Sequence, residues 1–282
     1  MKQFNLKFDQ PYLNIKDYFL SREDFEIRKD RESGILKTFP VPENLDKYYE
    51  SEDYLSHSND QKSLFARCYA FAKAVNLSSK TKLIAKYVAG GKVLDIGAGI
   101  GDLVLALKEK GIDATGYEPS KKARAVATNQ GADLMASLEN EPANSYALIS
   151  MYHVLEHVPD IIAQRQQIEK LLDKNGVLVL ALPNYKSWDA KYFGKFWAAY
   201  DVPRHLFHFD RDAVQWFCKD SFELMETTPL WFDSLYVSIL SARYKKLPVP
   251  FLSGLVLGFW SNLNAIFTRE YSSVTYILKK RN

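Results

Sequence analysis

Residues 92–111 contain the feature that most constrains the fold: a short apolar run, a turn built on glycine, and a helix with an apolar period. The apolar run, residues 93–96, is typical of a buried parallel strand. The glycines of the turn are Gly97, Gly99 and Gly101. Glycine lets backbone N–H groups approach a ligand that a Cβ would push away, and a helix N-terminus favours negative groups. The stretch therefore predicts a strand–turn–helix cradle for a nucleotide-type ligand in an α/β fold.

The spacing of the glycines separates two kinds of nucleotide-binding turn. A dinucleotide fingerprint, Gly-x-Gly-x-x-Gly, would place its third glycine at position 102, where this chain has Asp102. The chain instead has an apolar strand that contains Asp95, followed by Gly-x-Gly-x-Gly. This pattern resembles motif I of the class I S-adenosylmethionine (SAM) methyltransferases. A nicotinamide-dependent oxidoreductase is the disfavoured alternative.

A second acid supports the resemblance. Residues 114–118 form a short predicted strand that ends in Glu118, and Pro119 and a helix follow it. In the resembled family, an acid at this place accepts hydrogen bonds from both ribose hydroxyls of SAM. The resemblance implies an α/β fold with a Rossmann-like, seven-stranded sheet whose last strand is antiparallel. We expect the sixth strand at residues 222–228 and the seventh at residues 273–278.

The resemblance also implies a cofactor site along the carboxyl ends of the first four strands. Ser137 and Leu138 occupy the loop that covers adenine in this fold, although the usual acid for the adenine amino group is not evident there. Residues 151–153 follow the fourth strand and would lie beside the methionine part of SAM. The expected cofactor-binding residues are Asp95, Gly97, Ala98, Gly99, Gly101, Glu118, Pro119, Ser137, Leu138, Met151, Tyr152 and His153.

Residues 152–160 resemble a His-Val-Leu-Glu-His-Val signature of the methyltransferase group that includes ubiquinone and menaquinone biosynthesis enzymes. His153, Glu156 and His157 could suggest a metal site at this spacing. A zinc protease requires His-Glu-x-x-His, whereas the order here is His-x-x-Glu-His, and the segment follows a strand end. We therefore expect no metal. His157 is interpreted as structural, and His153 stays open between a structural and a catalytic role.

Composition limits the broad class of protein. The chain has 282 residues, of which 47% are hydrophobic and 25% charged, enough for one large α/β domain with insertions. The net charge of +3 is too small to indicate a nucleic-acid partner. The two cysteines lack metal-ligand spacing, and the N-terminus shows no signal-peptide pattern, so we expect a cytoplasmic protein.

The chain is predicted to divide into a β-rich N-terminal cap, residues 1–60, and a SAM-binding methyltransferase domain, residues 61–282. Acceptor-site insertions are expected at about residues 184–210 and 230–270. Tyrosines beside acids in residues 45–57 indicate either a solvated connector or a lid over the cofactor. Helical periods predict two helices, over residues 60–75 and 79–89, with Ser78 or Ser79 as the cap of the second.

Residues 185–209 are rich in aromatic side chains and contain Arg204, His205 and His208. This insertion falls at the carboxyl edge of the predicted parallel sheet, where open α/β sheets bind ligands. It predicts an acceptor pocket or lid, with a hydrophobic minicore as the alternative. A hydrophobic or planar small molecule is the favoured methyl acceptor, and a sugar would also stack here. His153, His205 and His208 are the candidate general bases. A SAM-binding protein without turnover stays open as the rival class.

Residues 247–268 carry no charged side chain, and a basic group precedes them at residues 243–246. We expect no membrane-spanning segment, because two asparagines and two prolines interrupt the run and the chain must return to the sheet. Coverage by the domain itself, closing one wall of the acceptor pocket, is the favoured interpretation. A dimer contact and a peripheral membrane contact remain alternatives, so the protein is expected to be a monomer or a homodimer.

Overall fold

The computed structural model describes residues 5–48, 64–88 and 90–281, except for the side chains of residues 46 and 64–73. These residues form a seven-stranded and a four-stranded sheet. The strands are β1 (Gln10–Lys16), β2 (Asp24–Lys29), β3 (Leu36–Phe39), β4 (Val93–Ile96), β5 (Ala114–Tyr117), β6 (Leu134–Met135), β7 (Tyr146–Tyr152), β8 (Leu172–Pro183), β9 (Phe207–His208), β10 (Phe222–Pro229) and β11 (Ser273–Lys280). The α-helices are α1 (Leu64–Tyr87), α2 (Asp102–Glu109), α3 (Lys121–Asn129), α4 (Ile161–Leu171), α5 (Trp188–Phe193), α6 (Arg211–Cys218), α7 (Trp231–Tyr244) and α8 (Pro250–Thr268).

The large sheet has the strand order β10-β11-β8-β7-β4-β5-β6. Strand β4 pairs in parallel with β5 on one side and with β7 on the other. The chain therefore reverses its winding direction at β4, and the glycine turn leaves the carboxyl end of that strand at the switch point, where α/β sheets bind ligands. Strand β11 is antiparallel to both β8 and β10. The predicted seven-stranded, Rossmann-like fold with an antiparallel last strand is confirmed.

The four residues of β4 are all buried, because helices cover both faces of the sheet. Leu94 and Ile96 pack into an apolar cluster that includes side chains of α4 and α6. Val93 points to the other face and packs with Ile84 of α1 and with Leu103 and Leu107 of α2. The period-two alternation of β4 thus fixes which helices lie on each side of the site.

The prediction of two separate helices before β4 is wrong, because the structure has one helix there. Residues 64–87 form one continuous helix, so Ser78 and Ser79 lie in its interior and cap nothing. No glycine or proline interrupts the segment, and the Thr81 hydroxyl donates 2.7 Å to the Leu77 carbonyl one turn earlier, as helix-interior threonines do. Residues 60–63 of the first predicted helix, and residues 49–57 of the tyrosine-rich segment, lie outside the described residues.

The four-stranded sheet joins the N-terminal region to the aromatic insertion. Strands β1, β2 and β3 are antiparallel neighbours, and β3 pairs with the short strand β9. The Thr38 amide also donates to the Leu206 carbonyl at 2.9 Å. Apolar side chains of β1 and β2 pack with Trp197, Tyr200 and Val202 in one buried cluster. Residues 10–39 and the aromatic insertion therefore share a core.

Helices α7 and α8 form an antiparallel helical hairpin between β10 and β11. A Cβ at Gly254 would lie 2.3 Å from Cα of Ile239, and a Cβ at Gly258 would lie 2.6 Å from the Ser234 carbonyl oxygen. The two helices therefore meet through small residues, and most of the large apolar side chains of α8 are exposed. Val256, Phe259 and Phe267 are 60%, 61% and 87% exposed. The expectation that the domain itself covers this segment is wrong for the outer face of α8.

Candidate active site

The turn between β4 and α2 has two glycines whose surroundings differ. At Gly97, φ is +74° and a Cβ would lie 2.3 Å from a methyl group of Val154, so a side chain would collide with the protein. At Gly99, φ is +56° and a Cβ would meet nothing within 4 Å. Gly99 thus faces open space with a backbone conformation that favours glycine. This is the space in which a ligand can contact the backbone of the turn.

Glu118 lies at the end of β5, beside this open space, and is 9% exposed. Its Oε2 accepts a hydrogen bond of 2.9 Å from the Gly99 amide, and its Oε1 accepts one of 2.9 Å from the Ser120 amide. An ionised carboxylate has about four acceptor positions, so both oxygens keep capacity for further donors. The acid and the turn are therefore held together as a polar cradle that fits the ribose of a nucleoside. The turn also includes Ala98, whose amide donates 3.0 Å to the Tyr117 carbonyl, and Gly101.

Asp95 is buried within β4 and accepts a hydrogen bond of 2.6 Å from the Ser150 hydroxyl. Burial raises the pKa of Asp95 to about 6, against the opposing effects of Ser150 and of the Lys80 charge. The Lys80 ammonium of α1 lies 4.2 Å from the ring centroid of Tyr152, at the end of β7. Burial lowers the pKa of Lys80, while Asp233 and Asp95 act in the opposite direction. A cation and two carboxylates therefore lie near the cofactor cradle.

The other expected cofactor residues follow the same edge of the sheet. The Glu118 amide donates 3.0 Å to the Met135 carbonyl, which ties the end of β6 to the acid. Beyond β6, Ser137 is exposed and Leu138 is buried in the core. Met151 is fully buried, and Pro119 is exposed at the start of the turn into α3. Of these residues, Ser137 and Pro119 are exposed at the surface, whereas the side chains of Leu138 and Met151 are buried in the core.

His153 follows β7 with a φ of +58° and lies between two carboxylates. Its Nε2 is 3.0 Å from Asp233 Oδ2, and its Nδ1 is 3.3 Å from Glu156 Oε1. Burial by itself lowers the pKa of His153, but Asp233 and Glu156 together raise that pKa to about 9. His153 is therefore an imidazolium at neutral pH. It can donate hydrogen bonds and stabilise negative charge, and this state does not accept a proton from an acceptor.

His205 and His208 lie in the aromatic insertion and are both buried. His205 Nδ1 donates to the Ala199 carbonyl at 2.9 Å, which leaves Nε2 as the acceptor atom of a neutral ring. The His208 ring is 3.0 Å from the Thr38 hydroxyl of β3, and the His205 and His208 ring centroids are 6.4 Å apart. Burial is the largest cause of a His208 pKa that lies well below its usual value. His208 is thus fixed to the N-terminal sheet.

Arg204 acts as a buried tie between chain segments. It forms a bidentate ion pair with Asp201, and its other guanidinium nitrogen donates to the Tyr48 carbonyl at 3.2 Å. Burial raises the pKa of Asp201, but the hydrogen bond and charge of Arg204 outweigh it and the pKa is lowered. The Arg204 carbonyl in turn accepts 3.0 Å from His157 Nδ1. This tie fixes the backbone on which His205 is placed.

Glu156, His157 and His205 each offer one ligand-type atom, and these atoms lie within 4.8 Å of one another. Both Glu156 oxygens are buried without a hydrogen-bond partner among the described residues, although His153 lies 3.3 Å from one of them. Two imidazoles and a carboxylate can bind a divalent ion such as zinc. The expectation of no metal therefore stays a prediction, which metal analysis of the purified protein checks.

The sequence singled out His153, His205, His208 and the glycine turn, but it missed two residues of the site. Lys80 occupies an unremarkable position in a helical period, and Asp233 lies in the first turn of α7, far along the chain. Neither belongs to a motif, so only the packing of α1 and α7 against the sheet edge reveals them. Glu156 was noted for its spacing, yet its place between His153 and the His157–His205 pair is a tertiary feature.

The contact between Asp233 and His153 gives a pH prediction. The folded pKa of His153, about 9, lies above its unfolded value of 6.5. The pair therefore stabilises the fold fully below about pH 6.5 and loses that effect as pH rises through about 9. We expect Asp233→Asn to lower the His153 pKa, as measured by NMR titration. The difference in Tm between wild type and variant should shrink between pH 6.5 and 9.5, and a constant difference would contradict the ion pair.

Comparisons with known proteins agree with this geometry. Residues 69–221, more than half of the chain, match a family model described as a methyltransferase domain. The chain is 28% identical over 181 residues to the ubiquinone biosynthesis O-methyltransferase of Pectobacterium atrosepticum, covering 57% of this chain and 72% of that protein. It is 32% identical over 132 residues to the protein of the same name from Pectobacterium carotovorum subsp. carotovorum, covering 43% and 55%. The chain thus spans little more than half of the length of that second relative.

Two solved structures share the fold at low identity. The [4+2]-cyclase SpnF has a TM-score of 0.51 and 16% identity, covering 72% of this chain and 80% of its own. A candidate sarcosine dimethylglycine methyltransferase from Galdieria sulphuraria has a TM-score of 0.50 and 13% identity, covering 79% and 89%. One of the two is named as a cyclase, so the shared fold does not define a reaction. The family match, together with the cradle of Gly99 and Glu118, identifies the reaction class. The chain belongs to the class I SAM-dependent methyltransferases.

Proposed function

We propose that this methyltransferase methylates a hydroxyl oxygen on an apolar, aromatic acceptor of the quinone-precursor class. The main observation in support of this proposal is that the Gly99–Glu118 cradle and the histidine cluster of the aromatic insertion lie along one edge of the sheet. The curated relatives, which are named O-methyltransferases of ubiquinone biosynthesis, support oxygen as the methylated atom.

The cofactor would be held by charge and by backbone contact. SAM supplies an electrophilic methyl group on a sulfonium. Glu118 would accept hydrogen bonds from the ribose hydroxyls, and the exposed backbone at Gly99 would allow close approach. Asp95 and Lys80, which lie at one end of the site, would face the ammonium and the carboxylate of the methionine part, respectively. Tyr152 and the other expected contacts, Ala98, Gly101, Pro119 and Ser137, would complete the cradle.

The proton of the acceptor hydroxyl would be taken by His205. His153 is protonated at neutral pH, because two carboxylates raise its pKa to about 9. His208 is fixed by Thr38 within the N-terminal sheet. His205 holds its Nδ1 proton on the Ala199 carbonyl and therefore presents Nε2 as an acceptor. Of the three candidate bases, His205 is the one whose tautomer suits the task, and the nearby Glu156 would stabilise the imidazolium that forms.

The proposal predicts methyl transfer to a hydroxylated aromatic ring with an apolar tail. The test measures S-adenosylhomocysteine and the methylated product by mass spectrometry, with purified protein, SAM and a panel of catechol-type acceptors. The matched control is the same ring with its hydroxyls already methylated, which should give no product. Transfer to amine acceptors alone would overturn oxygen methylation. Transfer to polar sugars alone would overturn the apolar acceptor class.

The proposal also includes the cellular location and the oligomeric state of the protein. We expect a cytoplasmic protein that acts as a monomer or homodimer without a nucleic-acid partner. The net charge of +3 supports the last point.

A further inference from the structure

The α7–α8 hairpin has a one-sided apolar surface that is exposed among the residues the structure describes. Along α8, exposed apolar side chains recur every three or four positions, with an adjacent pair at the end, and so line one face of the helix. These side chains are Leu252, Val256, Phe259, Leu263, Ile266 and Phe267. Trp260, which is 51% exposed, borders the same face. A contiguous exposed apolar face of this kind marks an interaction surface.

The opposite face of α8 explains why the large side chains point outward. Gly254 and Gly258 are buried against α7, the Ser261 hydroxyl donates 2.7 Å to Asp189 of α5, and Ala265 is buried in the core cluster of the large sheet. Because small residues make up the seam, the two helix backbones approach closely and no large apolar side chain is needed between them. The amide of Asn262 donates to the Trp231 carbonyl at 2.9 Å and fixes the two helices together. The hairpin is thus a packed unit whose outer surface needs a partner.

The charged residues of the hairpin indicate which kind of partner fits its exposed apolar face. From residue 234 to residue 269 the chain has no Asp or Glu, and it has four basic residues, Arg243, Lys245, Lys246 and Arg269. Arg243 and Lys246 are exposed near the start of α8, and Arg269 is exposed at its other end. Basic side chains therefore flank the apolar face at both ends. An amphipathic surface with aromatic and aliphatic side chains and only positive charge is complementary to anionic lipid.

We propose that the outer face of α8 binds the surface of an anionic lipid membrane, with the helix lying in the plane of the interface. By length and composition α8 is the one helix of the described residues that could cross a membrane. The in-plane arrangement is favoured because one face of α8 is sealed against α7. In addition, β11 of the central sheet begins at Ser273, five residues after α8 ends at Thr268. A spanning helix would bury α7 and this sheet edge in lipid as well.

The surface is connected to the active site through α7. Asp233, in the first turn of α7, lies 3.0 Å from His153 Nε2. Contact of the hairpin with lipid therefore brings the site next to the interface. Where the acceptor is apolar, as in the proposed function, it could enter from the lipid side. The lipid surface itself does not depend on that acceptor, so vesicle binding and methyl transfer are measured separately.

The test is flotation of the full chain with vesicles of phosphatidylcholine, with and without phosphatidylglycerol, at low and high salt. We expect binding to the anionic vesicles at low salt and release at high salt. Phe259→Ser should weaken partition at least about tenfold, because an exposed aromatic side chain no longer enters the interface. Lys246→Gln should weaken it about fivefold, since one basic charge near such a surface contributes about 1 kcal/mol.

Matched controls lie on α3, away from the hairpin. Val126 is an exposed apolar residue and Lys122 an exposed basic one, and Val126→Ser and Lys122→Gln should leave partition unchanged. No flotation with anionic vesicles would overturn the proposal, as would equal losses in the control variants. Resistance to salt together with resistance to Phe259→Ser would also overturn it. A dimer by light scattering that Phe259→Ser converts to monomer, without vesicle binding, would show a subunit interface instead.

Discussion

His205→Ala should lower kcat by about 10²–10⁴-fold while the affinity for SAM stays close to that of the wild type. The expected loss follows from the tautomer: Nδ1 donates to the Ala199 carbonyl, so Nε2 is the basic atom of a neutral ring. His205 lies within the aromatic insertion and not at the glycine turn, so cofactor binding should not depend on it. The measurement is single-turnover kinetics with a hydroxylated aromatic acceptor, together with SAM binding by calorimetry.

Two further observations make the assignment specific to proton removal. Imidazole added to His205→Ala should restore part of the rate, because it can occupy the space of the lost ring and accept the proton. His208→Gln is the matched control, since that residue is also a buried histidine of the insertion and contacts Thr38. The control variant should keep its rate within a few-fold, provided that its Tm is unchanged. A His205→Ala enzyme with a normal rate would mean that the acceptor ionises without this residue.

The cofactor half of the site was predictable because its signals are local. Apolar strands, glycine turns and acids at strand ends each occupy a few consecutive residues, and the spacing at Gly97, Gly99 and Gly101 distinguishes one turn from another. Glu118 was found in the same way. Its hydrogen bond from the Gly99 amide joins two motifs that the sequence had already paired. The strand order and the antiparallel β11 followed from the resemblance that these motifs carry.

The acceptor half was harder to predict because it depends on contacts between distant segments. The β3–β9 pairing and the Thr38–His208 bond join residues 170 positions apart, and no periodic pattern specifies them. The protonated state of His153 depends on Asp233, which α7 brings to it. The uncharged run at residues 247–268 showed an apolar segment but not which side of it is packed. Gly254 and Gly258 determine which side of α8 is packed, because their lack of a side chain lets the backbone of α7 approach the face on which they lie.

Two substitutions at the cradle should separate cofactor binding from folding. Glu118→Ala removes the acceptors proposed for the ribose hydroxyls and leaves the Gly99 amide without its partner. The substitution should weaken binding by about 1.5–3 kcal/mol in all, so the Kd for SAM should rise about 10- to 150-fold. Glu139→Ala, which removes an exposed acid from the next loop, is the matched control and should leave the Kd unchanged.

Gly99→Ala addresses the same cradle from the side of the backbone. Its Cβ would meet nothing within 4 Å in the protein, so the fold should bear only the strain of a φ near +56°, about 1 kcal/mol. SAM affinity should fall at least about tenfold, because the methyl group enters the space that the cofactor requires. Calorimetry gives the Kd and thermal unfolding gives the stability. A folded Gly99→Ala protein that binds SAM as tightly as wild type would show that the cofactor does not lie against this turn. The roles assigned to Glu118 and to the open space beside Gly99 would then both fail.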